Sequence, residues 1–292
     1  MIDGVLLLAH GAADSVEELE AFLTHIRAGR PPSAELLAEQ RQRYERIGGR
    51  SPLTAITHSQ ARALASALGG TRPVLVGMRH ARPFIADVLA QATSDGLREL
   101  LALPLVPQYS TLSYDRYHDA VERATPPGVR VTFVGPWHDQ PPLLDAFGER
   151  VREALARGPR DVVLFTAHSL PEAVVRTGDA YPERVRVTAA GAAARAGLGE
   201  VRIAFQSAAR TGEPWIGPTI EEALTELAGQ GRRRPLVVPV GFVADHMEIL
   251  YDIDVAAQET ATHLGLDLAR SESLNTSPTF IQALAELVRS HE

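Results

Sequence analysis

Two stretches decide the fold. One is Val162-Val163-Leu164-Phe165-Thr166-Ala167-His168-Ser169-Leu170-Pro171. The other is Leu236-Val237-Val238-Pro239-Val240-Gly241-Phe242-Val243-Ala244-Asp245-His246-Met247-Glu248. Each starts as an apolar run that reads as a buried strand and ends in polar residues. A polar group just past a buried parallel strand faces the crevice where open α/β sheets bind ligands. One stretch supplies an imidazole and the other a carboxylate. Together they can accept protons and hold a cation.

The same pattern extends in both directions. Strands are predicted near 4–9, 73–78, 100–106 and 129–134, and again near 161–166, 200–205, 235–241 and 266–269. Amphipathic helices fall between them: Val16, Leu19, Leu23 and Ile26 recur at helical spacing in residues 15–27, as do Ile220, Ala223, Leu224 and Leu227 in residues 219–228. Strands alternating with helices predict an α/β fold with parallel sheets. The halves also resemble each other. Val5-Leu6-Leu7-Leu8-Ala9-His10-Gly11 matches Val163-Leu164-Phe165-Thr166-Ala167-His168-Ser169, an offset of 158 residues from position 10 to position 168. The expectation is two similar Rossmann-like lobes, each a parallel sheet flanked by helices, with the active-site cleft between them. The first lobe spans 1–157 and the second 158–275, joined near Arg157-Gly158-Pro159-Arg160. Residues 276–292 carry a last helix, near 279–288, announced by Ser277-Pro278 and packing back on the first lobe.

Composition narrows the function. The chain has 292 residues, 45% hydrophobic and 22% charged, as in a soluble globular protein. A net charge of −7 and a single short basic run, Arg232-Arg233-Arg234, speak against nucleic acid. There is no cysteine, which excludes disulfides, thiolate zinc sites and cysteine-ligated iron–sulfur clusters. The start, Met1-Ile2-Asp3-Gly4, reads as the approach to a first strand rather than a signal peptide. No stretch reaches the roughly 18 apolar residues of a membrane span. The expectation is a cytoplasmic protein without integral membrane association.

His168 is the strongest single candidate, because an imidazole at a strand end titrates near neutral pH and can accept and pass on a proton. Asp245, Glu248 and Asp252 fall at i, i+3 and i+7, one acidic stripe if the segment is helical. Asp245 would then cap the helix, Glu248 point into the cleft, and Asp252 and Asp254 lead towards solvent, a line of oxygens able to draw in a divalent cation. Alone, the stripe is an ordinary acidic helix start; opposite His168 it becomes a candidate site. His246 flanks the same stripe in a different direction and reads as structural or as a support behind the site's own groups. His10, at the strand end matching His168, is either a metal ligand or a polar group lining the cleft. Arg79 could fork onto a substrate carboxylate or be a loop arginine. Arg27, Arg30 and Arg46 surround Gly48-Gly49-Arg50-Ser51-Pro52, a loop whose amides and Ser51 hydroxyl could hold a carboxylate or phosphate. Tyr109 and Ser110 sit at another strand end and suit an acid group. Trp215 either stacks on a flat ring or packs in the core. The chain lacks a Gly-x-Gly-x-x-Gly after the first strand, a Walker A loop and a Gly-x-Ser-x-Gly elbow, so nucleotide and serine-hydrolase chemistries lack their cradle or nucleophile.

Taken in order, several blocks resemble the ferrochelatases, enzymes that insert Fe²⁺ into a porphyrin in haem synthesis. They are Tyr44 with Ile47-Gly48-Gly49 and Ser51-Pro52-Leu53; Gly77-x-Arg79-His80; and Leu103-Pro104-Leu105-x-Pro107-Gln108-Tyr109-Ser110. Thr166-Ala167-His168-Ser169-Leu170-Pro171 follows, then Gly178-Asp179-x-Tyr181-Pro182, Gln206-Ser207 with Trp215, and Pro239-x-Gly241-Phe242-Val243-x-Asp245-His246-x-Glu248.

The resemblance implies a porphyrin in the cleft, with His168 and Glu248 as the catalytic pair and His168, Glu248 and Asp252 contacting the metal. It implies His10, Arg27, Arg30, Arg46, Ser51, Arg79, Tyr109, Ser110 and Trp215 around the porphyrin. Fe²⁺ is then a substrate, and neither an organic cofactor nor an iron–sulfur cluster is called for. The chain departs from the pattern at Ala256, where some relatives carry a further carboxylate, and at His10, where many Gram-positive relatives carry Tyr.

Residues 12–37 are polar, with Glu17, Glu18, Glu20, Arg27 and Arg30, and Thr24-His25-Ile26-Arg27 with Gly29-Arg30 resembles the soluble Gram-positive form. That favours coproporphyrin III, whose four propionates would use several arginines, over protoporphyrin IX. Further implied are a monomer and transient hand-over to neighbouring haem-pathway enzymes. The rival readings are a cobalt or nickel tetrapyrrole chelatase and a non-catalytic porphyrin carrier.

Overall fold

The computed structural model describes residues 2–209 and 212–292. Its eight strands are β1 (Gly4–Ala9), β2 (Val74–Met78), β3 (Glu99–Pro104), β4 (Arg130–Phe133), β5 (Val162–His168), β6 (Arg202–Gln206), β7 (Pro235–Pro239) and β8 (Ala269–Arg270). They form two parallel sheets with strand orders β2-β1-β3-β4 and β6-β5-β7-β8. The order is the same in each half, so β1 and β5 hold the same central position. The internal sequence echo is therefore a topological repeat, and the α/β fold follows the expectation. The last strand is later and shorter than the 266–269 predicted.

Strand alternation explains the packing. Val5, Leu7, Leu101 and Leu103 of the first sheet share one core with Val163, Phe165, Leu236 and Val238 of the second. Between them lie Leu143 and Phe147 of helix Pro141–Ala156, Val185 and Ala189 of helix Tyr181–Arg195, and Phe280 and Leu284 of helix Pro278–Arg289. The opposite faces fill separate cores. Leu6, Leu8 and Ala102 meet Ile85, Leu89 and Tyr117, while Leu164, Ala204 and Val237 meet Ile249, Ile253 and Ala257. Each fully buried Leu, Ile or Val contributes roughly 1.5–3 kcal/mol of transfer free energy. Both sheets need two apolar faces, hence the near-continuous apolar runs.

The last helix starts at Ser277, whose Oγ accepts from Phe280 N, and it packs on helices Pro141–Ala156 and Leu53–Ala67. Arg289 Nη2 donates to Ala67 O at 2.7 Å, and Arg72 pairs with Glu292 at 2.6 Å.

Two helical segments depart from the predicted pattern. Residues 15–27 begin as a 3₁₀ turn (Val16–Glu18) before α-helix Leu19–Ile26. The segment after β7 is a π-helix over Ile249–Ala257, running into α-helix Gln258–His263. Asp245 lies ahead of it and caps nothing. π-Helices replace i→i+4 bonding by i→i+5 and occur frequently at functional sites. Among the described residues no helix is long and apolar enough to cross a membrane.

Candidate active site

His168 is the last residue of β5, between β6 and β7. The turn behind it is pinned: Ser169 N donates to Gln206 O at 2.7 Å and Ser169 Oγ to Ile216 O at 2.7 Å. Beside it the chain leaves β7 through Gly241, whose N donates to Thr166 O at 3.0 Å. A Cβ at 241 would lie 2.6 Å from Ala167 Cβ and 2.7 Å from Ala167 Cα, so only glycine lets the two strand ends run this close. The chain then returns with Glu248 facing His168. His168 Nε2 is 3.8 Å from Glu248 Oε2, and His246 Nε2 is 3.4 Å from the same oxygen.

The imidazoles share one tautomer logic. His168 Nδ1 meets Ser169 O, His246 Nδ1 meets Ala244 O at 3.1 Å, and His10 Nδ1 meets Gly11 O at 3.0 Å. A carbonyl only accepts, so each Nδ1 carries a proton and each Nε2 is left for other work. Burial pushes the Glu248 carboxyl up, but the His168 and His246 rings and then His10 outweigh it and bring it down to about 2. Burial would lower the His246 ring, but its hydrogen bond to Glu248 raises it overall. Asp252 goes the other way. Burial raises it, the hydrogen bond from Ser207 Oγ opposes, and Glu248 repels its charge, leaving it at about 6. Two neighbouring carboxyls with separated pKa values mark a pair with different duties: Glu248 is a fixed anion, and Asp252 changes charge near neutral pH. Among the described residues no group of three or more His, Cys, Asp or Glu is spaced to hold a metal ion.

Around this pair, the Trp215 ring lies 6.3 Å from the His168 ring, and residue 215 bridges Pro171. It is half-buried at the wall beside His168, outside the core clusters. Phe242 sits 6.5 Å from His168 and 4.6 Å from His246. From the first lobe, exposed His10 packs 4.7 Å from His80, which in turn meets His25 Nδ1-to-Nδ1 at 3.1 Å. Met247 packs against the cluster of Ala13, Leu19 and Tyr44, which joins the acid-bearing segment to the first lobe.

Several expected ligand-facing groups are engaged elsewhere. Ser51 is 5% exposed, and its Oγ has no hydrogen-bond partner among the described residues; it is buried rather than presented. Ser110 Oγ donates to Asp179 Oδ2 at 2.9 Å, fastening the lobes together. Tyr109 OH donates to Asp115 Oδ2 at 2.9 Å, with the Arg184 guanidinium 4.8 Å from its ring. Arg46 pairs with Glu259 at 2.5 Å. Arg79 lies 5.3 Å from the Tyr117 ring, beside the outer core of the first sheet. Arg27 and Arg30 are exposed just past helix Leu19–Ile26, Arg30 Nε donating to Arg27 O at 3.3 Å. The line of acids also ends sooner than expected, because Asp254 is bound by Arg270 Nε at 2.6 Å. Ser207 and Arg270 had no role in the sequence reading. They meet their acids across 45 and 16 residues, and no local spacing announces such pairs.

The sequence model of the ferrochelatase family matches residues 2–292. A ferrochelatase of Herpetosiphon aurantiacus is 39% identical over 296 residues, covering 97% of this chain and 97% of that one. A coproporphyrin III ferrochelatase of Anoxybacillus flavithermus is 38% identical over 301 residues, covering 99% and 96%. One of the same description from Bacillus subtilis is 37% identical over 298 residues, covering 98% and 96%. Among solved structures, SirB from Bacillus subtilis with Fe³⁺ aligns with a TM-score of 0.59 at 15% identity, over 99% of this chain and 95% of that one. CbiX, described as the terminal enzyme for siroheme biosynthesis in denitrifying bacteria, aligns at 0.57 and 19%, over 99% of both. These two likenesses concern the fold.

Proposed function

The chain belongs to the ferrochelatase family and is a metal chelatase; from that premise we propose that it inserts Fe²⁺ into coproporphyrin III. The observation that carries the site is the His168–Glu248 pair, an imidazole Nε2 at a strand end 3.8 Å from an oxygen of a carboxylate held ionised. The substrate reading is supported by the Anoxybacillus and Bacillus relatives, which are coproporphyrin III ferrochelatases, and by the exposed Arg27 and Arg30 of the polar segment 12–37.

In this reading the porphyrin lies between the lobes, taken as 1–157 and 158–275 with the segment 276–292 behind the first. Walls that favour a bent ring over a flat one bind the transition state better than the substrate. Two pyrrole N–H bonds break as Fe²⁺ bonds to the four ring nitrogens, so two protons must leave. His168 Nε2 accepts them in turn, releasing the first to bulk water before taking the second. Glu248 stabilises the imidazolium that forms and is the last oxygen before the ring. Asp252 contacts the incoming cation, releasing it more readily than a fixed anion would because it can take up a proton near neutral pH. His10, Arg79, Arg46, Ser51, Tyr109, Ser110 and Trp215 surround the ring or hold its walls. Iron stays Fe²⁺, so the chain's own residues suffice. We place the enzyme in the cytoplasm as a monomer that hands its product to a neighbouring haem-pathway enzyme.

Anaerobic Fe²⁺ insertion followed by absorbance, with coproporphyrin III and protoporphyrin IX side by side, tests this. Faster turnover of coproporphyrin III is expected. Turnover of protoporphyrin IX alone would keep the chemistry and overturn the substrate, and no turnover of either would overturn both.

A further inference from the structure

Arg270 of β8 has no part in the chemistry above, yet it touches both flanks of the acidic segment. Its side chain is 15% exposed. Nε and Nη2 donate to the two oxygens of Asp254 at 2.6 and 2.8 Å, and Nη1 donates to Asp245 Oδ1 at 3.1 Å and to Ser271 O at 3.1 Å. Asp245 stands three residues before Glu248, and Asp254 two residues after Asp252. One guanidinium therefore grips the segment on either side of the two working acids.

The Asp245 end is further tied. Ser273 Oγ donates to Asp245 Oδ1 at 2.6 Å, Asn275 Nδ2 to Asp245 Oδ2 at 2.9 Å, and Asp245 N to Asn275 Oδ1 at 2.9 Å. From the first lobe, buried Gln60 donates to Asn275 O at 2.9 Å and to Val243 O at 3.3 Å.

The segment needs such a clamp. Glu248 and Asp252 repel each other when both are charged, and the backbone between them is a π-helix, which lacks the ordinary i→i+4 ladder. A planar fork that binds one carboxylate at two points while reaching a second is a property of arginine, not of lysine.

We propose that Arg270 is a positioning residue that sets the spacing of Glu248 and Asp252 for the incoming cation by gripping Asp245 and Asp254. This rests on the reading of Glu248 and Asp252 as metal-handling acids. The test measures Zn²⁺ affinity by calorimetry in the absence of porphyrin, and coproporphyrin III affinity by fluorescence quenching. The proteins are wild type, Arg270→Ala, Arg270→Lys and Asp254→Asn, each first checked for folding by urea denaturation.

Arg270→Ala should weaken Zn²⁺ binding by about 10–100-fold, the usual effect of removing a partner that orients ligands, with porphyrin affinity little changed. Guanidinium ion at low millimolar concentration should restore Zn²⁺ binding to the alanine variant, and lysine should restore it only in part. If the alanine variant fails to fold, Asp254→Asn, which leaves the Asp245 arm intact, should show a smaller loss in the same direction. Unchanged Zn²⁺ affinity in the folded variants, or an equal loss of zinc and porphyrin affinity, would overturn the proposal. Neither readout needs turnover, so failure of the iron-insertion reading would appear separately, in the wild type.

Discussion

Gly241→Ala should damage the site without touching any ionisable group. The new methyl would stand 2.6 Å from Ala167 Cβ, 2.7 Å from Ala167 Cα and 3.4 Å from His168 N, against 3.4–4 Å for ordinary contact. The strand ends must therefore part by roughly 0.8 Å, and the obstacles are main chain and a Cβ, which have no rotamer to yield with. β5 has paired neighbours on both sides, so the displacement passes into His168 at its tip or breaks the β5–β7 register. Overpacking of this kind costs about 1–3 kcal/mol. A shift approaching 1 Å in a reacting group costs on the order of 10²-fold in rate. The assay pairs urea denaturation with anaerobic Fe²⁺ insertion, and uses Gly229→Ala as control, since a Cβ there meets nothing within 4 Å. The control should keep wild-type activity and stability while Gly241→Ala loses both. Wild-type midpoint and turnover in Gly241→Ala would refute the argument that this close approach holds His168 in place.

Other outcomes follow from the site. His168→Ala should lower kcat by about 10²–10⁴-fold, the usual worth of a positioned proton acceptor, with the porphyrin KM little changed; full activity would remove the base assignment. Asp252→Asn tests the raised carboxyl. A folded pKa of about 6 against an ordinary 3.8 stabilises the native state below pH 4, and that stability is lost as pH rises through 6. The asparagine variant should therefore match wild type near pH 4 and exceed it at pH 7.5 by at most about 3 kcal/mol, less where solvent reaches the group. A urea-midpoint difference that does not change with pH would contradict the shift. Ser51→Ala removes a buried hydroxyl that has no partner among the described residues, so it should leave stability unchanged or raise it by about 1 kcal/mol. A clear loss of stability would mean that Ser51 Oγ is hydrogen-bonded after all.

Much of this molecule is legible along the chain because parallel strands and amphipathic helices are local patterns. Val5-Leu6-Leu7-Leu8 and Val162-Val163-Leu164-Phe165 are apolar on both faces because both faces are covered. The polar residue that ends each run comes out at the open edge of its sheet. The sequence by itself therefore determined the α/β class, the internal repeat, and His168 and Glu248 as the pair to examine.

What the tertiary structure decided is which polar groups are already bound and which remain for a ligand. His168 and Glu248 meet across 80 positions of chain. Ser207 reaches Asp252, Arg270 takes Asp254 out of the acidic line, and Asp115 and Asp179 claim the hydroxyls of Tyr109 and Ser110. Hydrogen bonds and ion pairs form between whatever groups the packed elements bring together, and spacing along the chain does not specify those partners. The π-helix is likewise seen only in the packed structure, where Ile249, Ile253 and Ala257 share one core with Leu164, Ala204 and Val237. Periodicity could place that segment on a helix. The kind of helix and the partners of its acids came only with the packed structure, because neither is specified by spacing along the chain.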